Sequence, residues 1–261
     1  MPYANVNGQK LYFEDTGGDA PAIVFSHGLL MDHEMFAPQI AALRARWRCI
    51  SWDERGHGRT AGEAIEPFSY YDSADDLAAL LDHLGIEHAV LAGMSQGGYL
   101  SLRCALRHPQ CVRALILIDT QAQTEDAAKT EGYKQMLEAW AQHGLPQQIA
   151  DTVAQIILGP GWSGTPAWQD KWRGWQAHNL MGSFQTLVSR DDISEQLSRI
   201  AVPALVVHGD SDAAISLDRA RDMATRLPRA EWVVVPGAGH AANLTHPQPV
   251  NAAIEAFLAG L

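Results

Sequence analysis

Cysteine is scarce: Cys49, Cys104 and Cys111 are the only three in 261 residues. An odd number without regular spacing is not a disulfide framework. Without a Cys-x-x-Cys or a short Cys/His pairing it is not a zinc set either. The three read as free thiols in or near the core. Positive charge is also short, with 19 Lys and Arg against 30 Asp and Glu and a net charge of −11. Such a surface repels phosphates, and no Lys/Arg run offers a local exception. Nucleic acid and anionic membrane surfaces are therefore not expected partners. No run of about 18 apolar residues is present to span a bilayer. The segment Met1-Pro2-Tyr3-Ala4-Asn5 has no basic stretch leading into an apolar one, so no secretory signal is expected. A soluble, cytoplasmic protein of a reducing compartment is the expectation. What remains is an ordinary globular balance, 47% hydrophobic and 19% charged, at a length for one large domain or two small ones.

Short apolar runs recur along the chain. Ala22–Ser26, Cys49–Trp52, Ala89–Ala92, Ala114–Ile118, Ala204–Val207 and Trp232–Val235 are continuous rather than alternating. Such runs suit strands buried on both faces of a parallel sheet. Helical patterns separate them: Leu77, Leu80, Leu81 and Leu84 share one helix face, as do Val250, Ile254, Phe257 and Leu258. The alternation predicts an α/β fold with helices on both sides of the sheet. Asn7-Gly8 between Tyr3–Val6 and Lys10–Asp15 predicts an antiparallel hairpin at the start. From Asp119 to about Glu195 the rhythm breaks. No buried strand run occurs there, and Gly159-Pro160-Gly161 and Thr165-Pro166 punctuate helical sequence carrying Trp140, Trp162, Trp168, Trp172 and Trp175. This stretch reads as a helical insertion lying over the sheet.

Gly93-Met94-Ser95-Gln96-Gly97 matches G-x-S-x-G. The pattern alone is weak, expected about 0.1 times by chance in this length. Its setting is not: a strand run precedes it and a helical pattern, Gln96–His108, follows and stops before Pro109. A serine on so sharp a strand-to-helix turn stands exposed as a nucleophile, with glycines giving the chain room. The base and acid should follow in the order serine, acid, histidine. His240, in the glycine-rich loop after Trp232–Val235, is favoured as base over His246, which precedes Pro247. Asp212 is favoured as acid, with Asp210 and Asp119 as alternatives. Trp140 and Ile215 are candidate substrate-binding residues, and Trp168, Trp172 and Trp175 at i, i+4, i+7 form either a packing face or an aromatic wall.

His27-Gly28 after one strand, Asp53-Glu54-Arg55-Gly56-His57-Gly58 after the next, the serine turn, Gly209-x-x-Asp212 and Gly239-His240 together make the chain resemble the α/β-hydrolases over nearly its whole length. Within them it most resembles the enol-lactonases, non-haem haloperoxidases (perhydrolases) and small carboxylesterases. The resemblance implies a mostly parallel eight-stranded sheet in residues 1–120 and 196–261 and a helical cap, residues 121–195, after the sixth strand. It implies an oxyanion hole from the backbone N–H groups of Leu29 and Gln96. Two departures stand out: Gln96 where methionine or leucine is common, and Ile215-Ser216 where a proline is.

Serine as nucleophile argues against haloalkane dehalogenases and epoxide hydrolases of this fold, which use a carboxylate. The expected function is hydrolysis of a carboxylic ester of a small to medium hydrophobic acid through an acyl-enzyme. A lactonase or perhydrolase would use the same three residues; a carbon–carbon bond hydrolase or a non-catalytic ligand receptor are the weaker readings. No cofactor and no metal are expected, and the partner is a small-molecule ester or lactone. Gly56-x-Gly58-x-x-Ala61 imitates a dinucleotide fingerprint, but Gly62 and Pro67 follow where a helix is needed. His27 and His33 have no carboxylate at ligand spacing and read as structural.

Overall fold

A computed structural model describes residues 2–60, 62 and 65–261. Its strands are β1 (Tyr3–Val6), β2 (Gln9–Asp15), β3 (Ala22–Ser26), β4 (Arg48–Trp52), β5 (Ala89–Met94), β6 (Val112–Ile118), β7 (Ala204–Gly209) and β8 (Ala230–Val235). They form one eight-stranded sheet in the order β1-β2-β4-β3-β5-β6-β7-β8. The pairs β1–β2 and β2–β4 are antiparallel, and the remaining pairs are parallel. Each apolar run of the sequence lies within one strand, because a strand covered on both faces has no solvent side to mark with polar residues. β3 and β5 are buried at every position, whereas the edge strand β8 is only partly covered. In the opening hairpin Asn7 and Gly8 take φ of 47° and 72°, the two positive values a two-residue hairpin turn needs.

The helices are α1 (Ala37–Leu43), α2 (Tyr70–His83), α3 (Gln96–Arg107), α4 (Ala127–His143), α5 (Gln147–Ile157), α6 (Thr165–Arg173), α7 (Ala177–Val188), α8 (Leu217–Arg226), α9 (Ala242–Thr245) and α10 (Pro247–Leu258). Successive side chains of a strand face opposite ways. Leu115 and Leu117 of β6 therefore join one core, with Leu77, Leu80 and Leu81 of α2, while Ile116 and Ile118 join the other, with Val250 and Ile254 of α10. α2 opens with a capping box, Ser69 and Asp72 each accepting the other's backbone N–H.

Between β6 and β7 the described residues form α4 to α7 and no strand. Trp140, Trp168 and Trp172 are buried in the same core as β3 and β5, and the Trp172 indole N–H donates to Leu30 O at 2.8 Å. The expected tryptophan stripe is interrupted. α6 stops at Arg173 with Gly174 as its cap, so Trp175 lies beyond the helix and meets the His57 ring edge-on at 5.0 Å. Thr165-Pro166 begins α6 rather than breaking a helix, since proline in the first turn forfeits no hydrogen bond.

The turn after β4 is structural. Asp53, fully buried, accepts from His33 N at 2.7 Å and Arg59 N at 2.8 Å, and His33 Nδ1 lies 2.8 Å away. His33 thus has the carboxylate partner that sequence spacing did not reveal. A side chain on Gly58 would collide with Asp53. Ala61, the last position of the dinucleotide-like pattern, lies outside the described residues. Among the described residues the next α-helix starts at Tyr70, and none of them begins an α-helix directly after the glycines to meet a pyrophosphate. Among the described residues no helix is long and apolar enough to cross a membrane, and the three cysteines are free and buried.

Arg55 clamps Asp76 with two hydrogen bonds, 2.5 and 2.9 Å, and Asp76 also accepts from Asn7 at 3.3 Å, which ties the hairpin to α2. The Asp76 side chain is 0% exposed and that of Arg55 14%. Asp76→Ala strands a partly buried cation and is expected to lower the unfolding free energy by about 3 kcal/mol in urea melts; a loss under about 1 kcal/mol would show that the pair is not structural.

Candidate active site

Ser95 follows β5 and caps α3 with φ 53° and ψ −118°, a region that residues other than glycine rarely enter. Neighbours hold it there. Its N–H donates to Ile118 O at 2.9 Å, and its carbonyl accepts from Thr120 Oγ1 at 2.6 Å and Gly98 N at 3.0 Å. The turn is tight enough to exclude side chains around it: a Cβ on Gly93 would lie 2.1 Å from Gly97 O, and one on Gly97 would lie 2.0 Å from Ser26 O.

The structure brings Ser95, His240 and Asp212 into one line. His240 Nε2 is 2.9 Å from Ser95 Oγ, and its Nδ1 is 2.8 Å from Asp212 Oδ2. The loops that carry them follow β8 and β7, at the carboxyl end of the sheet where β5 delivers Ser95. Asp212 Oδ1 accepts from Ala214 N at 2.8 Å and Ile215 N at 3.0 Å, so the carboxylate cannot swing away from the imidazole. The other two acids do different work. Asp210 is exposed and accepts from Gly237 N at 2.7 Å, fastening one loop to the next. Asp119 is fully buried; Oδ1 accepts from Gly209 N at 2.8 Å and Oδ2 from Ala242 N at 2.9 Å. It staples the end of β7 to the helix just after His240.

Charge is distributed unevenly over this group. Burial, reinforced by the charge of Asp212, raises the Asp119 carboxyl well above the usual carboxylate range. Burial also acts to raise Asp212, but the charge and hydrogen bond of His240, with His208 and the Ile215 N–H, hold it below that range. For His240 burial acts to lower the pKa and is outweighed by Asp212, Asp119 and Glu125, so the imidazole sits above an ordinary histidine. Asp119, His208 and Asp212 place ligand-capable atoms within 4.8 Å of one another. Their carboxylate oxygens already accept backbone N–H groups or face His240, which makes the cluster a hydrogen-bonded one rather than an open ligand set.

Leu29 lines the same cavity as Ser95, and Gln96 is the next residue along the chain from the serine. Gly28 packs against the serine turn, where a Cβ would lie 3.6 Å from Ser95 Cβ, and neither the Leu29 nor the Gln96 N–H is taken by another described residue. The Gln96 side chain turns away from this space. Its Nε2 donates to Glu54 Oε2 at 2.7 Å and its Oε1 accepts from Tyr70 OH at 3.2 Å, in a buried group that includes His57. The glutamine therefore adds no polarity to the cavity.

Over Ser95 and His240 opens a cavity of about 100 Å³. Leu137, Val153, Ile157, Phe184 and Leu187 of α4, α5 and α7 form one side, and Leu29, Met94 and Ile215 the other. Ile215 lines it as expected from sequence, whereas Trp140 does not: that indole is buried in the core, 3% exposed. A large ring on α4 that points inward packs the insertion onto its neighbours instead of facing the ligand space. Glu125 and Tyr133, which the sequence did not single out, also line the cavity.

The sequence pattern of the alpha/beta hydrolase fold family matches residues 21–247. A Caulobacter sp. (strain K31) protein whose name proposes carbamate hydrolysis, RutD, is 30% identical over 96% of this chain and 96% of its own. The 3-oxoadipate enol-lactonase 2 of Acinetobacter baylyi is 29% identical over 92% of this chain and 89% of its own. The crystal structure of the enol-lactonase from Burkholderia xenovorans LB400 superposes with a TM-score of 0.90 at 27% identity, covering 99% of this chain and 100% of that one.

Glu54 is the buried group that sequence reasoning passed over as part of a turn. It is 3% exposed, its Oε1 has no described partner, and burial pushes its pKa up to about 7. An acid bound more tightly to its proton in the folded state weakens folding as pH rises from the unfolded value towards the folded one. Glu54→Gln keeps the shape and an acceptor for Gln96 but removes the titration. The variant should gain on the native protein by roughly 3 kcal/mol between about pH 4.5 and about pH 8 in urea melts, and equal pH dependence of the two would refute the assignment.

Proposed function

Because this chain belongs to the α/β-hydrolase family, we propose that it hydrolyses carboxylic esters of small, largely apolar acids with Ser95 as nucleophile. The observation that carries this reading is the hydrogen-bonded line Ser95–His240–Asp212 beneath an apolar cavity. Ser95 Oγ adds to the ester carbonyl while His240 Nε2 takes its proton. The tetrahedral oxyanion is held by the N–H groups of Leu29 and Gln96, each worth roughly 3 kcal/mol to the transition state. His240 then protonates the departing alcohol, leaving an acyl-serine. Water, deprotonated by the same imidazole, attacks that ester, and the collapse returns Ser95 Oγ–H and frees the acid. Asp212 fixes the imidazole tautomer and stabilises its charged form throughout. In this reading residues 121–195 form a lid that supplies one side of the acyl site.

A lactone, an internal ester, passes through the same steps, and the similarity to two enol-lactonases favours it as a second substrate form. In that case the alcohol stays attached to the acid, and a single hydroxy-acid leaves.

Ser95→Ala should fold normally and lose about 10³-fold or more in kcat against p-nitrophenyl butyrate, and a fluorophosphonate probe should label the native protein at Ser95 only. Retained turnover, or labelling elsewhere, would remove this serine from the reaction. The base must be neutral to act, and its pKa is raised, so kcat/KM should fall as pH drops through a midpoint above about 6.5. A flat profile down to about pH 5 would exclude His240 as base.

A further inference from the structure

Glu125 gives this cavity a sign. Among the described lining residues it is the single carboxylate, and no lysine or arginine lines the space. It is held from behind: Arg190 Nη2 lies 2.7 Å from Glu125 Oε1, and Gln121 Nε2 donates to the same oxygen at 3.4 Å. The Arg190 side chain is itself 1% exposed, donates from Nε to Gln123 O at 3.1 Å and stacks over the Tyr99 ring at 4.7 Å. The cation is thus sealed beneath the carboxylate and does not reach the ligand. Glu125 Oε2 accepts from no described residue, and neither does the Tyr133 hydroxyl find a described partner.

We infer that Glu125 and Tyr133 make the site selective for esters or lactones that carry an uncharged hydrogen-bond donor, such as an amide N–H or a hydroxyl, and set it against substrates that carry a carboxylate. This rests on the hydrolysis proposed above. A donor entering the apolar space finds an ionised acceptor there, a stronger partner than a neutral one. A substrate carboxylate loses its water and meets no cation, with Glu125 and Asp212 both adding repulsion. A substrate cation gains less than the lone carboxylate suggests, because Arg190 already offsets Glu125. The net charge of −11 disfavours approach of anions as well. An enol-lactone of 3-oxoadipate keeps one free carboxylate after the other closes the ring. The selectivity inferred here therefore separates this chain from the relative named for that substrate.

The test uses three p-nitrophenyl esters of matched length: valerate, glutaramate, with a terminal amide, and glutarate, with a terminal carboxylate. A second pair places the amide or the carboxylate on the alcohol side, as butyrate esters of 3-hydroxypropionamide and 3-hydroxypropionate. Spontaneous hydrolysis is subtracted. The native protein should prefer amide over carboxylate in kcat/KM by roughly 30-fold in at least one series, the scale of a hydrogen bond to a charged group. Glu125→Gln should shrink that ratio to within about threefold, because the repelling charge is gone and Arg190 loses its counter-ion. Tyr133→Phe, which leaves the ion pair intact, should lower the preference for glutaramate over valerate while still discriminating against glutarate. Amide-to-carboxylate ratios below about threefold in both series, with valerate turned over, overturn the selectivity and leave the hydrolase reading standing. A native ratio that both variants leave unchanged overturns the assignment to Glu125 and Tyr133. No turnover of any of the esters overturns the ester-hydrolase reading and this inference with it.

Discussion

The turn at Ser95 takes the chain from β5 into α3 through one residue, at a φ of 53°. A non-glycine residue in such a region costs on the order of 1–3 kcal/mol and persists only where its surroundings over-determine it. Here they do, through four hydrogen bonds to the Ser95 backbone: its N–H donates to Ile118 O at the end of β6, and its carbonyl accepts from the Thr120 hydroxyl and from Gly98 N and Tyr99 N of α3. The tightness then dictates the neighbours. Gly93 and Gly97 must lack side chains because backbone atoms of α3 and β3 occupy the space. Gln96 N, first in the helix, is left without an intrahelical partner, which is what the proposed oxyanion role requires of it. Glutamine at that position is compatible with an apolar cavity because Glu54 and Tyr70 draw its amide to the opposite side of the turn.

Two buried aspartates lie behind the imidazole, and both cannot ionise cheaply in one place. The structure separates them by partner. Asp212 faces His240 and keeps its charge. Asp119 faces only backbone N–H groups and the ring of His208, and burial favours its neutral form. Donation from His208 Nε2 to Ile215 O leaves Nδ1 bare, opposite Asp119 Oδ1 across 3.7 Å. His240 therefore meets one full negative charge at bonding distance, from a carboxylate whose other oxygen is pinned by the chain that also presents Ile215 to the cavity.

The fold was legible because its signals are local. A strand buried on both faces writes itself as a continuous apolar run, a primed hairpin as Asn-Gly, and the serine turn as glycines two residues either side. The positions of Ser95, Asp212 and His240 at strand ends were readable for the same reason. Trp140 was misread because side-chain type on a helix does not say whether the residue faces a ligand or a neighbouring helix. Trp175 was misplaced because a helical spacing continues on paper past the glycine that ends the helix. Glu54 and Glu125 carried no local mark. Glu54 meets Gln96 across 42 positions and Glu125 meets Arg190 across 65, and pairing at such separation is set by how distant segments pack together, not by either sequence neighbourhood.

The helices of residues 121–195 bear on the imidazole in two opposing ways. They cover His240, and burial draws its pKa down; the segment also brings Glu125, whose charge adds to that of Asp212 in drawing it up. General-base efficiency is greatest when the pKa lies near the working pH, since a base too weak moves the proton poorly and one too strong is already protonated. A cavity that were merely apolar would weaken the base as it dried the site. A carboxylate placed in the same wall acts in the opposite sense, adding to the larger pull of Asp212. The feature proposed to select substrate charge thereby also adds, after Asp212, to the basicity of the group that would activate Ser95, so a mutation there touches both.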